Sequence, residues 1–317
     1  MWDVGADVLT YVLAVVAAIC FGTNWVLQQR EAAKASPALQ LHPVALLEAL
    51  VRRPLWLLGL GSLIVGSAAQ QVALAGGNLA VVEAVLVLDL VFALFLADRL
   101  SNHSVRRHHW LGAVAVCAGL ATFLAVAGPS DATTAGSIPR WFLVIVVVGA
   151  VDVVLCAAGI ARPGSVRAAS FATASAITFG LCDAFSTAAF RDTDEASAGA
   201  LVVLTHWQIY GVVIAAAVAL GMGQVAFSAA ALPVSLPSLA VAEPVSGLLI
   251  GVSVLGVSVG HSTGALVGEF LGAAAVVVGS IVVGQAKVLH VVPRPGKHPP
   301  HESADRTAVA VDDAGGP

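Results

Sequence analysis

Long apolar runs, separated by short polar segments, set the pattern of this chain. Each run holds about 20 residues, the length that an α-helix needs to cross the hydrocarbon core of a bilayer. The nine runs are residues 8–28, 54–76, 79–97, 109–127, 141–160, 168–190, 206–230, 234–257 and 265–286. They are continuous in Leu, Ala and Val and lack the alternation of membrane-barrel strands. The pattern predicts an all-α integral membrane protein with nine transmembrane helices.

Composition agrees with that prediction. Of the 317 residues, 58% are hydrophobic and only 11% are charged, against about 25% charged residues in an ordinary soluble domain. All four cysteines fall inside apolar runs, where buried small side chains are expected rather than a disulfide or zinc framework. No basic cluster suggests a nucleic-acid partner. We therefore expect a multi-pass protein of the plasma membrane, with the lipid bilayer as its main partner.

The basic residues predict how the helices are oriented. With the N-terminus outside, the cytoplasmic segments hold nearly all of the lysines and arginines. These are Arg30, Lys34, Arg52, Arg53, Arg99, Arg106, Arg107, Arg162, Arg167, Lys287, Arg294, Lys297 and Arg306. Only Arg140 and Arg191 fall on the outer side. This asymmetry follows the positive-inside rule, and a count of eight or ten helices would scatter it. The predicted topology is N-out and C-in.

The two ends of the chain are predicted to behave differently. The first run follows MWDVGAD, which has acidic but no basic residues, so we expect a retained helix rather than a signal peptide. Residues 287–317 are rich in Pro and polar residues. They are predicted to form a disordered cytoplasmic tail.

The chain also resembles itself at a low level. The segment FGTNWVLQQR, which begins at Phe21, matches FGLCDAFSTAAFR, which begins at Phe179. The segment QVALAGGNLAVVEAVLVLDL from Gln71 matches QVAFSAAALPVSLPSLAVAEP from Gln224, with one residue inserted. A third match pairs WLG from Trp110 with FLG from Phe270. Helices one to four therefore correspond to helices six to nine.

These matches divide the chain into repeats of opposite orientation. The first repeat covers 1–128, helix five lies in a connector at 129–166, and the second repeat covers 167–286. Five helices separate each element from its equivalent, so the second copy enters the membrane from the opposite side. Inverted repeats of this kind place a substrate site near the midplane at their interface and allow alternating access by rocking.

The residues further resemble a known family. LADRLS at 96–101 followed by WLGAVAVCAGL, and LAVAEPVSGLLIG followed by EFLGAAAVVVGSIVV, are similar to segments of the drug/metabolite transporter (DMT, EamA-like) superfamily. LQQREAAKAS and LWLLGLGSLIVGSAAQQVALA resemble its branch of NIPA-type magnesium transporters. The resemblance covers about residues 8–286 and implies secondary transport, with Mg²⁺ as one substrate. GVSVLGVSVGHS departs from the family pattern, because many members carry an acidic residue after this helix, as the first half does at Asp98.

Two carboxylates interrupt the apolar runs at equivalent positions. The repeat aligns Asp89 of helix three with Glu243 of helix eight, and both lie about nine residues from the predicted cytoplasmic side, close to the midplane at about 1.5 Å per residue. A membrane-embedded acid can bind a cation when ionised, or stay protonated and release its proton on the accessible side. The alternative is a protonated carboxyl that links helices as a structural hydrogen bond. Pro244 follows Glu243 directly and is expected to bend its helix.

Other polar residues in the runs are candidate site residues. Asp183 in helix six is expected to line a cavity, and Glu83 to lie on a different face from Asp89, nearer the outer mouth. Asn24, Gln71 and Gln224 fit either cavity lining or interhelical hydrogen bonding, because amides serve both roles. Carboxylates with amide oxygens would also suit a hard divalent cation.

The chain contains no HExxH, Walker or CxxC sequence, and we expect neither enzymatic activity nor a cofactor. The leading prediction is a secondary transporter that moves a small solute by alternating access, with proton or cation coupling through Glu243 and Asp89. Two alternatives stay open: a carrier of Mg²⁺ or another divalent cation, and a membrane scaffold or sensor that transports nothing. A homodimer is compatible with either.

Overall fold

The structure is a helical bundle. The computed structural model describes residues 4–76, 79–100, 107–127, 132–191, 205–230 and 232–258, and from the last predicted run residues 268, 271, 272, 274–276, 278, 279 and 282. All regular structure within these residues is helical. The predicted tail and most of the ninth run lie outside the described residues.

Ten α-helices follow one another along the described chain. They are α1 (Val4–Ala32), α2 (Pro43–Leu50), α3 (Pro54–Gly76), α4 (Leu79–Leu86), α5 (Asp89–Leu100), α6 (Arg107–Ala127), α7 (Ile138–Ala161), α8 (Ser165–Arg191), α9 (Trp207–Ala229) and α10 (Leu232–Ile250). One turn of wider, π-type helix over Gly251–Leu255 continues α10 and ends at Gly256, where φ is +69°. α10 passes through Pro237 and Pro244 without ending.

Six of these helices are long and apolar enough to cross a membrane. The six segments are Val8–Ala32, Pro54–Leu74, Ile138–Ala161, Ser165–Ala189, Trp207–Ala229 and Val234–Leu255. They correspond to six of the nine predicted runs, as expected of a multi-pass membrane protein. Within α6, the apolar segment Trp110–Phe123 is shorter.

The third predicted run does not form one continuous helix. The stretch 79–97 is divided into α4 and α5, and between them Leu88 and Leu90 donate backbone bonds to the carbonyls three residues earlier, at 3.0 and 3.3 Å. The thiol of Cys117 donates to the Val87 carbonyl at 3.2 Å. The break places Asp89 in the first turn of α5, where a carboxylate interacts favourably with the helix dipole. The prediction that Glu83 and Asp89 lie on different faces assumed one continuous helix, and the side chain of Glu83 lies outside the described part of the chain.

Small residues bring the helices into close contact. α1 packs antiparallel to α3, where the Ser62 hydroxyl donates to the Cys20 carbonyl at 2.8 Å. α8 packs antiparallel to α9, where the Ser175 hydroxyl donates to the Ala219 carbonyl, also at 2.8 Å. Close approach of this kind is the usual basis of helix association in membranes, since lipid supplies no hydrophobic drive between helices.

Two glycines allow close packing against the helices that carry Asp89 and Glu243. A Cβ on Gly22 of α1 would lie 2.7 Å from the Asp89 carbonyl oxygen of α5. A Cβ on Gly180 of α8 would lie 2.8 Å from the Glu243 carbonyl oxygen of α10. Both distances are shorter than real Cβ contacts, so glycine is needed at each position.

α7 lies at the edge of the bundle and exposes most of its large apolar side chains, as a lipid-facing helix would. Its one acidic residue, Asp152, accepts a hydrogen bond from the Thr178 hydroxyl of α8 at 2.6 Å. This contact connects α7 to α8.

One end of the bundle is marked by basic residues and is called the basic end. There α1 finishes near Arg30 and Lys34, α3 starts after Arg53, and α8 starts near Arg167. The carboxylate of Glu31, whose side chain is only 6% exposed, pairs with Lys34 at 2.5 Å and with Arg53 at 3.2 Å. These pairs connect the end of α1 to the start of α3.

A methyl group at Gly22 or Gly180 is expected to destabilise the fold. Gly22→Ala and Gly180→Ala should each lower the stability of the detergent-solubilised protein by about 1–3 kcal/mol, because the carbonyl opposite cannot move away without shifting a helix. Gly61→Ala is the matched control, since a Cβ there meets nothing within 4 Å. Thermal unfolding of the three variants checks this, and equal midpoints would contradict it.

Candidate functional site

A cavity of about 540 Å³ lies inside the bundle. Its walls come from α1, α3 and the α4–α5 break among the N-terminal helices and from α8, α9 and α10 among the C-terminal ones. The volume falls in the range of about 300–1,000 Å³ that small-molecule sites occupy. Most of the lining is apolar, with a few polar groups placed among hydrophobic side chains.

Three carboxylates line this cavity, each from a different helix. Asp89 comes from the first turn of α5, Asp183 from the middle of α8 and Glu243 from α10. The indole Nε1 of Trp25 donates to Asp89 Oδ2 at 3.2 Å. The helices therefore concentrate negative charge in a space that is otherwise apolar.

The apolar segments of the helices that build the cavity contain no lysine or arginine. Residues 4–29, 54–97, 168–190 and 207–286 include neither lysine nor arginine. Hydrogen bonds from neighbouring groups can hold a carboxylate in place, but they leave its net charge unchanged. Within a membrane, a carboxylate that keeps its charge is costly.

Aromatic rings form part of the cavity wall beside the carboxylates. Phe21 and Trp25 of α1 and Phe179 of α8 all line it. Trp25 is held from two sides, since its indole binds Asp89 and its ring makes an edge contact with Phe227 at a centroid distance of 5.9 Å. Phe21 and Phe179 are the phenylalanines of the two Phe-Gly segments that match in the sequence.

A smaller cavity of about 110 Å³ adjoins the main one on the side away from the basic end. Asp183 and Glu243 line both cavities, together with Gln70 and Gln71 of α3. The lining of the smaller cavity continues to Thr187 near the end of α8. The two carboxylates thus stand where the spaces meet.

A buried group of amide side chains lies between the main cavity and the basic end. In this amide cluster, Gln224 Nε2 of α9 donates to Gln28 Oε1 of α1 at 2.5 Å, and Gln28 Nε2 donates to Asn24 Oδ1 at 2.6 Å. The Trp56 indole of α3 donates to Gln224 Oε1 at 3.0 Å. All four side chains are almost completely buried.

The amide cluster closes the bundle at this end. Gln28 lies one turn before Glu31, whose pairs with Lys34 and Arg53 form the next layer outward. The bond between Gln28 and Gln224 joins residues 196 positions apart. This hydrogen bond connects α1 to α9 on the basic side of the cavity.

The structure separates the predicted site residues into three groups. Glu243, Asp89, Asp183 and Gln71 line the main cavity, whereas Asn24 and Gln224 belong to the amide cluster. Glu83 lies in α4, but its side chain is outside the described part of the chain. The sequence left two roles open for the amides. Gln71 lines the cavity, whereas Asn24 and Gln224 form hydrogen bonds in the amide cluster.

The sequence prediction missed the aromatic members of the site. Trp25, next to Asp89, could have been noticed in the sequence, because it lies three residues after the Phe-Gly pair that the two repeats share. Trp56 gave no signal, since a tryptophan near a helix start usually indicates the membrane interface. No three His, Cys, Asp or Glu side chains come together as metal ligands within the described residues.

Comparison with known proteins gives one distant relative. The chain is 26% identical over 259 residues to an uncharacterised protein of Corynebacterium glutamicum, covering 79% of this chain and 86% of that protein. No protein-family model matches the chain. No solved structure matches it.

Gln28 and Gln224 are expected to stabilise the protein jointly. In a double-mutant cycle with Gln28→Leu and Gln224→Leu, thermal unfolding in detergent should give a coupling free energy of about 1 kcal/mol, the size found for hydrogen bonds between membrane helices. Gln71→Leu, on the cavity wall, is the control and should add to Gln28→Leu without coupling. Additive effects in the first pair would show that the amide contact contributes nothing.

Proposed function

We propose that the protein is a secondary transporter that carries a small, positively charged solute across the membrane by alternating access. The observation that carries this proposal is a central cavity lined by carboxylates from both halves of the chain. The amide cluster lies between this cavity and the basic end. The resemblance of its segments to the drug/metabolite transporter superfamily leads us to propose membership of that superfamily as well.

The glycine contacts of the acidic helices support the inverted repeat that this mechanism uses. The repeat pairs Gly22 with Gly180 and Asp89 with Glu243. In each half, the glycine of the Phe-Gly segment faces the backbone carbonyl of the paired acid, at 2.7 and 2.8 Å from a Cβ position. The same contact therefore recurs between the residues that the sequence match had made equivalent.

A second pair of contacts follows the same relation. The match of WLG with FLG pairs Gly112 with Gly272, and by the same offset Gly119 with Gly279. A Cβ on Gly272 would lie 2.7 Å from the Gly119 carbonyl, and one on Gly279 would lie 2.7 Å from the Gly112 carbonyl. Each contact is the image of the other when the two repeats are exchanged, as a pseudo-two-fold axis requires.

The polar layers at the basic end fit the role of a closed gate. A solute in the cavity reaches that side only if α1 and α9 separate, which breaks the bond between Gln28 and Gln224. The pair of Glu31 with Arg53 covers the same path one turn further out. Such contacts suit a gate because they are few, polar and able to exchange for water.

A scaffold without transport activity explains these features less well. Structural acids are expected to sit between packed helices, as Asp152 does against Thr178. Asp89, Asp183 and Glu243 instead face a cavity large enough for a small molecule. A purely structural protein gains nothing from leaving that space unfilled, because filling a cavity usually adds stability.

Weakening the amide cluster is expected to open the cavity toward the basic end. With the four native cysteines replaced by alanine, Ser67→Cys places a thiol on the cavity wall. Adding Gln224→Leu should raise its labelling by a membrane-impermeant maleimide from the basic side about fivefold, the population change that about 1 kcal/mol produces. Oriented membrane vesicles allow each side to be measured separately.

The control is Ser165→Cys, an exposed position at the start of α8. It should react from the basic side alone, and at the same rate whether or not Gln224→Leu is present. If Ser67→Cys is labelled equally from both sides in every variant, the cavity is a continuous pore and alternating access is wrong. If Gln224→Leu changes nothing, the amide cluster is not the gate.

A further inference from the structure

We infer that the solute of the main cavity is an organic ammonium ion with an apolar body, rather than a bare metal ion. This inference rests on the proposed carrier function and names its substrate class. Three features of the cavity lead to it: its charge, its shape and surface, and the position of its aromatic rings.

The charge of the cavity selects for a cation. Asp89, Asp183 and Glu243 share one space, and the four segments that build its walls contain no lysine or arginine. An anionic solute would meet only like charge there, which costs several kcal/mol in a site of low dielectric constant. A cationic solute is attracted to all three carboxylates on the cavity wall.

The shape and surface argue against a small inorganic cation. Mg²⁺ requires close octahedral oxygen ligands at about 2.0–2.1 Å and is usually held by one or two carboxylates with waters. Here the carboxylates come from three helices around a cavity of about 540 Å³, and within the described residues no three acidic, His or Cys side chains converge as ligands. Leu60, Val212 and Leu220 form much of the remaining wall.

Apolar cavity walls contribute to binding only if the solute has apolar surface to bury against them. Contact with leucine and valine side chains stabilises a bound hydrocarbon group by about 25 cal/mol per Å² removed from water. A hydrated metal ion gains nothing from such walls. The combination of few charged groups and many apolar ones is that of a site for an amphipathic molecule.

The aromatic rings complete the fit to an ammonium group. Trp25 and Phe21 line the cavity on α1, and the Trp25 indole is bonded to the Asp89 carboxylate. An ammonium group beside Asp89 lies in the same part of the cavity as these two rings, and aromatic ring faces attract cations. We assign the Asp89 and Trp25 pair as the position of the charged group, with the apolar body toward α8 and α9.

Four probes separate charge from apolar body. They are 2-phenylethylammonium, its neutral analogue 2-phenylethanol, ethylammonium, which has the charge without the ring, and Mg²⁺. Isothermal titration calorimetry on the full-length protein in lipid nanodiscs measures binding of each. We expect 2-phenylethylammonium to bind at least about tenfold more tightly than 2-phenylethanol or ethylammonium, and Mg²⁺ not to displace it.

Two substitutions locate the site. Asp89→Asn should weaken binding of 2-phenylethylammonium by about tenfold or more, because it removes one charge of the pair. Asp152→Asn is the matched control, since this acid lies in the membrane helices but not on the cavity wall, and it should leave binding unchanged. Thermal unfolding of both variants shows that each is folded.

The inference is overturned if 2-phenylethanol binds as tightly as the ammonium ion, if Mg²⁺ displaces the ammonium ion, or if no ammonium binding is detected. It is also overturned if Asp152→Asn weakens binding as much as Asp89→Asn. Calorimetry measures binding and not transport, so these outcomes do not decide the carrier proposal, which the thiol labelling tests. Conversely, tight ammonium binding in a protein whose cavity opens to one side only would overturn the carrier proposal and support the ammonium site.

Discussion

Placing negative charge inside a bundle of apolar helices is the constraint on which the rest of this structure depends. Asp89, Asp183 and Glu243 lie in apolar segments that contain no lysine or arginine, and a charged carboxylate is costly at that depth. In the transporter that we propose, the cavity reduces this cost by giving the carboxylates access to water and to a cationic solute. The same arrangement leaves the centre of the protein incompletely packed, so stability has to come from the contacts around it.

Those contacts are of two kinds, with different consequences for movement. Glycines such as Gly22 and Gly180 let helices within one half approach backbone to backbone, which makes each half a tightly packed unit. Between α1 and α9, by contrast, the polar contact is the hydrogen bond from Gln224 to Gln28, beside the edge contact of Trp25 with Phe227. Polar contacts that can exchange for water are what the proposed rocking of one half against the other needs at this end.

The sequence predicted the acids well and their surroundings poorly. Asp89 and Glu243 could be found because a carboxylate in an apolar run is conspicuous, and the matching segments from Gln71 and Gln224 paired them with each other. The break between α4 and α5 could not be found, since hydropathy is uniform across 79–97 and does not distinguish one helix from two. Nor could the contact of Trp56 with Gln224, which lies 168 residues away and depends on tertiary packing.

The central claim is that the two halves move against each other around the cavity, and a distance at the basic end tests it most directly. Arg52, whose side chain is 77% exposed, and Val166 at the start of α8, also exposed, can each be replaced by cysteine for spin labelling in the cysteine-free protein. Pulsed electron paramagnetic resonance in nanodiscs then measures the separation of the labels. The account predicts two distances whose populations change when 2-phenylethylammonium is added. A single distance, unchanged by the ligand and by Gln224→Leu, would contradict it.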